Sequence, residues 1–148
     1  MNTVLLAGLA LSLAAPALKD PPAKTSTLEG EWALMERIIG GKPDRMVNQS
    51  PGTTFRIADG RWTFQDSGAP AGGWEIRLDT DKRPPEFTLL DQGGKGKQQS
   101  SHMAGIYKIE GDTLTLCYVF KGPPPTTFES PAGTDIRIMV LKRVKPDK

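Results

Sequence analysis

The side chains that could do chemistry are few. The 148-residue chain holds one His, His102, and one Cys, Cys117. Hydrolytic nucleophiles need a base within hydrogen-bond reach, usually a His, so this pair is the first to weigh. If Glu110-Gly111-Asp112 is a three-residue loop between two strands, Ile109 faces Thr113 and Cys117 faces Gly105. His102 then lies three residues further along, roughly 10 Å away at strand rise, which is too far for proton transfer. Ser100 and Ser101 adjoin His102, but neighbours on a strand point to opposite faces. His102 follows a polar stretch and reads as an exposed strand-start residue. Cys117 lies among Leu114, Leu116, Tyr118 and Val119 and reads as a small buried hydrophobe. One Cys cannot close an intramolecular disulfide, and one His with one Cys falls short of an ordinary structural zinc site.

Other candidates are weaker. Gly93-Gly94-Lys95-Gly96-Lys97 has the glycines of a phosphate loop but lacks the Gly-Lys-Ser/Thr step and a following helix. Asp79, Asp81, Glu86 and Asp91 lack the spacing of a calcium loop and read as outward-facing strand charges. The expectation is therefore a protein without enzymatic activity, metal or cofactor. The net charge of +2 is too small to argue for a nucleic-acid or anionic-membrane partner.

The aromatic set is more informative. All three Trp, two Tyr and five Phe lie beyond residue 31, and Trp62, Phe64 and Trp74 fall on apolar faces of consecutive segments. Such side chains either fill a core or line a cup for an apolar or flat ligand. Trp62, Trp74, Phe87 and Tyr107 are the candidate wall of such a cup.

These residues must be positioned by short strands. Trp32, Leu34, Glu36 and Ile38 alternate with Ala33, Met35, Arg37 and Ile39, and Gly40-Gly41-Lys42-Pro43 ends the run. Thr53–Ile57 is joined by Asp59-Gly60 to Arg61–Gln65, a strong hairpin signal because both turn residues tolerate positive φ. Trp74, Ile76 and Leu78 alternate with charged neighbours. Glu86–Leu90, His102–Ile109, Thr113–Val119 and Ile136–Leu141 are further strands, and Thr126-Thr127-Phe128 suggests a short one. Residues 43–51 have room for one helical turn at most. Residues 91–101 carry no apolar side chain and read as a surface loop. Eight or nine antiparallel strands at this spacing predict an all-β fold closed as an up-and-down barrel, with a two-layer sandwich as the other solution. About eight strands enclose an interior that side chains just fill, or that holds one small ligand.

The N-terminus has a different character. Val4 to Ala14 is an uncharged apolar run of the length of a signal-peptide h-region, and Ala15-Pro16-Ala17 fits a small-x-small cleavage pattern. The run is too short to span a bilayer, which needs about 20 residues. The expected organisation is a signal peptide over 1–17, a flexible lead-in over 18–27, a barrel domain over 28–144 and a tail over 145–148. The expected location is extracytoplasmic, periplasmic or secreted.

Three segments carry a family likeness. They are Leu28-Glu29-Gly30-Glu31-Trp32, the run from Gly105 to Cys117 with its Gly-x-Tyr and Gly-Asp-x-Leu-x-Leu-Cys pattern, and Phe128 with Val140-Leu141-Lys142-Arg143-Val144. Together they resemble an uncharacterised lipocalin-like domain family expanded in planctomycete bacteria, over roughly Leu28 to Val144. That family usually has Arg-Pro before its Thr-x-Phe, where this chain has Pro124-Pro125-Thr126. The resemblance implies a lipocalin-like barrel and export, but no reaction. It also implies a structural role for Gly30 and Trp32, with Trp32 packed beneath Arg143 to close one end. A guanidinium over an indole face contributes roughly 0.5–2 kcal/mol. The expected function is a binding module of the cell envelope for a small hydrophobic or amphipathic ligand. The alternative is a protein-interaction or scaffold domain with a filled core, using residues 91–101 and 121–126.

Overall fold

A computed structural model of the chain describes residues 28–45, 47, 52–66, 69–91 and 100–146. The expected signal peptide and lead-in, the Gly-Lys segment and most of the 43–51 and 91–101 stretches lie outside the described residues. Among the described residues, nine strands follow in chain order: β1 (Gly30–Ile39), β2 (Lys42–Pro43), β3 (Thr54–Ala58), β4 (Arg61–Asp66), β5 (Ala69–Asp79), β6 (Glu86–Leu90), β7 (Ser101–Glu110), β8 (Thr113–Val119) and β9 (Arg137–Arg143). All pairings are antiparallel. The two-residue β2 folds back on the end of β1; the other eight run β1-β3-β4-β5-β6-β7-β8-β9, and β9 returns to β1. The fold is thus all-β, an up-and-down barrel of eight strands with one extra strand, as a lipocalin-like barrel requires.

The alternation seen in the sequence sets the inside. One cluster fills the interior, with Trp32, Phe55, Ile57, Trp62, Phe87, Leu89, Tyr107, Leu114, Leu116, Tyr118, Met139 and Leu141 all buried. The Asp59-Gly60 turn is closed by two residues with φ of +53° and +69°, leaving Ala58 opposite Arg61. That conformation matches the twist of the strands it joins.

Three details differ from the sequence reading. The β7–β8 turn has two residues, not three: Glu110 pairs with Thr113, and Cys117 faces Ile106 rather than Gly105. Gly111 adopts φ +61° at the turn, so the ladder runs one pair further. Cys117 is therefore buried on the outer side of the wall. Thr126-Thr127-Phe128 forms no strand. It belongs to a segment, residues 120–136, that lies against the outside of the barrel. The Cys117 thiol donates to Thr127 O (3.4 Å) and Glu129 O (3.7 Å) beneath it. Ser130 Oγ donates to Ile136 O at 2.6 Å and accepts from Gly41 N at 3.1 Å. Finally, β1 does not alternate strictly. Leu34 is opposite Leu141 but Glu36 is opposite Val140, so Met35 is an extra residue. This bulge exchanges the faces of the second half of β1: Arg37 turns inward, opposite Met139, and Ile38 turns outward, opposite Ile138.

Candidate functional site

The two ends of the barrel are built differently. At one end Trp32, completely buried, donates its indole N–H to Leu28 O at 2.9 Å. The Arg143 guanidinium lies 4.2 Å over the Trp32 ring and donates from Nη1 to Glu29 O at 2.7 Å. Gly30 makes this possible. Its φ is +135°, and a Cβ there would stand 2.7 Å from Arg143 Nη1. The three residues therefore form one closed floor.

The opposite end is open. Here a cavity of about 250 Å³ is lined by Phe55, Trp62, Phe64, Trp74, Leu89, Met103, Leu116 and Met139, with Arg37, His102, Tyr118 and Phe120 also on its wall. Phe55 packs at 5.1 Å from Trp62 and 5.5 Å from Phe64, between ring centroids. Of the four residues expected to form a cup wall, Trp62 and Trp74 line this cavity. Phe87 and Tyr107 do not. Both are buried in the packed core, and Phe87 lies so close to the backbone of Gly105 that a Cβ there would be 2.8 Å from Phe87 Cε1.

The sequence reading missed several residues that line or rim the mouth. His102 is not a free strand-start residue. Leu89 pairs with Met103 but Leu90 pairs with Ser101, so His102 is the extra residue of a second bulge. Bulges of this kind re-aim side chains at barrel rims. The His102 ring stacks on Trp74, 4.7 Å between centroids and 19° between planes. Phe120 meets His102 edge-on at 5.6 Å and Tyr118 at 5.7 Å. Asp91 ties the group together. It accepts from Trp74 Nε1 and from Ser100 Oγ, each at 3.1 Å, and its Oδ1 lies 3.4 Å from His102 Nδ1. Asp91, read from sequence as a solvated charge, thus holds the Trp74–His102 stack in place.

The other side of the mouth is cationic. Arg37 donates from both Nε (2.7 Å) and Nη2 to Asp44 Oδ2. Arg137, the first residue of β9, is opposite Tyr118 and on the same face as Met139. Its guanidinium lies 4.5 Å from the Phe120 ring. Burial pushes the Tyr118 hydroxyl above its ordinary pKa; Arg37 and Arg137 pull against that shift, and Asp44 reinforces it. The inward parity of Arg143 is the signal that could have located Arg137, since positions 143, 141, 139 and 137 share a face along an unbroken strand.

The structure does not bring His102 and Cys117 together. His102 faces the mouth, whereas Cys117 faces the outer segment across the barrel wall, and burial raises the pKa of its thiol against a smaller opposing effect of the Glu129 carbonyl. The arrangement offers apolar faces, a stacked ring pair and a cationic edge, which suit reversible binding. Among known proteins, no family model, no curated sequence and no solved structure matches the chain.

Proposed function

We propose that this protein is a non-enzymatic binding module that takes a small, flat, hydrophobic or amphipathic molecule into the open mouth of its barrel. The observation that carries the reading is the aromatic cavity of about 250 Å³ at the open end of the barrel. Contact between a planar guest and the half-buried Trp74 ring would exchange exposed ring surface for buried surface, at about 25 cal/mol per Å². The fold alone would not carry this reading, because barrels of the same architecture serve unrelated roles. We place the module outside the cytoplasm on the strength of the apolar run Val4–Ala14 and the Ala15-Pro16-Ala17 site. The likeness to the planctomycete lipocalin-like family supports the same placement.

The test is a titration of the purified protein with N-phenyl-1-naphthylamine. Binding in the mouth should quench Trp62 and Trp74 emission and, by mass action, add about 2.7 kcal/mol to the unfolding free energy at a hundredfold excess over Kd, which raises the melting temperature. Met103→Trp, which puts an indole into the cavity, should abolish both responses without lowering the melting temperature of the free protein. If neither response occurs in the unsubstituted protein, the cup reading fails and the outer loops of a filled barrel become the functional surface.

A further inference from the structure

The geometry points to an anionic ligand: the molecule held in the mouth carries a carboxylate-type group that sits against Arg137. This inference rests on the cup reading above and names the chemistry of its guest.

Three observations converge on it. Arg37 is opposite Met139 on the neighbouring strand, and Arg137 is two residues from Met139 on the same face. The two guanidinium-bearing residues are therefore diagonal neighbours, about 7–8 Å apart at the backbone. One carboxylate, Asp44, joins them, and it is engaged by Arg37. The pair with its counter-ion keeps a surplus positive charge at the lip of an apolar cavity.

Arg137 Nε is also buried and has no hydrogen-bond partner among the described residues. Buried donors are nearly always satisfied, so an unmatched one asks for an acceptor. The surface of the guanidinium is instead held against Phe120, a ring that lines the cavity and is 38% exposed. The cation thus lies one ring away from the guest's position, behind Phe120 at the mouth.

Finally, the polar groups around Arg137 suit an anion. Tyr118 is directly opposite and its hydroxyl, held protonated by burial, is a donor. The other mouth carboxylate, Asp91, is already bound to Trp74 and Ser100 and lies beside His102. A cationic guest would meet two arginines. A neutral one could offer Arg137 Nε an oxygen acceptor but would not offset the guanidinium charge. An acid with a flat apolar body satisfies both the cavity and the cation.

A shape-matched pair of probes tests this. 2-Naphthoate and 2-naphthamide differ in charge and hardly in size, and calorimetry gives the affinity of each. A charge-assisted hydrogen bond predicts that naphthoate binds roughly 10–100-fold more tightly. Arg137→Gln should bring the two within about twofold, and a cooperative thermal melt reports that the variant is folded. Arg137→Lys should keep part of the preference. Should Arg137→Gln not fold, the preference in the unsubstituted protein must shrink steeply as sodium chloride is raised. Equal binding of acid and amide, a preference that survives Arg137→Gln, or a salt-independent preference overturns the inference and leaves the cup standing. Failure of both probes to bind overturns the cup as well.

Discussion

The closed end of the barrel permits a graded test of how its floor is held. Trp32 has no exposed surface, so Trp32→Ala removes a full indole from a site walled by strands that cannot collapse into the gap. The expected loss is about 3–5 kcal/mol. Trp32→Phe retains a ring face beneath Arg143 but removes the donor to Leu28 O, 2.9 Å away. Leaving that buried carbonyl unmatched costs about 1–3 kcal/mol. Arg143→Met removes the cation, worth about 0.5–2 kcal/mol over the ring, and the 2.7 Å bond to Glu29 O, which is exposed and therefore contributes little. The order of destabilisation should be Trp32→Ala, then Trp32→Phe, then Arg143→Met.

Urea and thermal unfolding measure this order directly. At about 3–5 °C per kcal/mol for a domain of this size, Trp32→Ala should melt roughly 10–20 °C lower, with an unchanged urea m-value. The double variant Trp32→Ala with Arg143→Met should be less destabilised than the sum of the singles, because the contact is lost once. An additive double variant would refute the coupling. A Trp32→Ala melt close to that of the parent would refute the floor itself.

Two further outcomes follow from the packed wall. In Gly105→Ala the new Cβ would stand 2.3 Å from Cys117 O, 2.7 Å from Tyr118 Cβ and 2.8 Å from Phe87 Cε1; the nearest of these is backbone, so the variant should lose about 1–3 kcal/mol or more, and an unchanged urea midpoint would contradict the β6–β7–β8 register. Burial raises the pKa values of Cys117, Tyr107 and Tyr118, so the unfolded chain releases these protons first. Stability should therefore be unaffected by these groups at neutral pH and fall as pH rises past the ordinary Cys and Tyr values. Urea midpoints between about pH 8 and 11 should decline, and Cys117→Ala should delay the onset; a flat or rising profile would refute the assignment.

The barrel was legible in the sequence because its signal is local. Strict alternation in Thr54–Ala58 and Arg61–Asp66, with Asp59-Gly60 between them, fixes a hairpin and its register. The Gly30–Trp32–Arg143 floor was visible only through family resemblance, since nothing local links residues 111 positions apart in Trp32 and Arg143. The mouth was mostly illegible. A bulge adds one residue to a strand and reverses every side chain beyond it. Arg37 and His102 each follow or occupy such a position, and no composition cue marks Met35 or His102 as the extra residue. Phe120 lies just past a strand end, and its place depends on how residues 120–136 cross the outer wall. Cys117 shows a related limit: its burial was readable from its apolar neighbours, while its partner on β7 turned on a one-residue difference in turn length.

The bulge in β1 also sets which side chains face the mouth and which face the outer wall. Were β1 regular, Glu36 would point inward opposite Met139 and Ile38 inward opposite Arg137, and Arg37 would turn outward. A carboxylate would then stand where the guanidinium now sits. The bulge at Met35, itself 54% exposed, moves Ile38 to the outer wall beside Ile138 instead. An apolar pair on the outside needs cover, and Phe128 and Pro131 of the 120–136 segment supply it, lining with Ile38 and Ile138 a common cleft. The same segment begins at Phe120, which closes over Arg137 and the cavity. Inner cavity and outer strap are thus linked through a single irregularity of β1. Ile38 is thereby placed outside the barrel under a loop, and Arg37 takes the inward position at the lip.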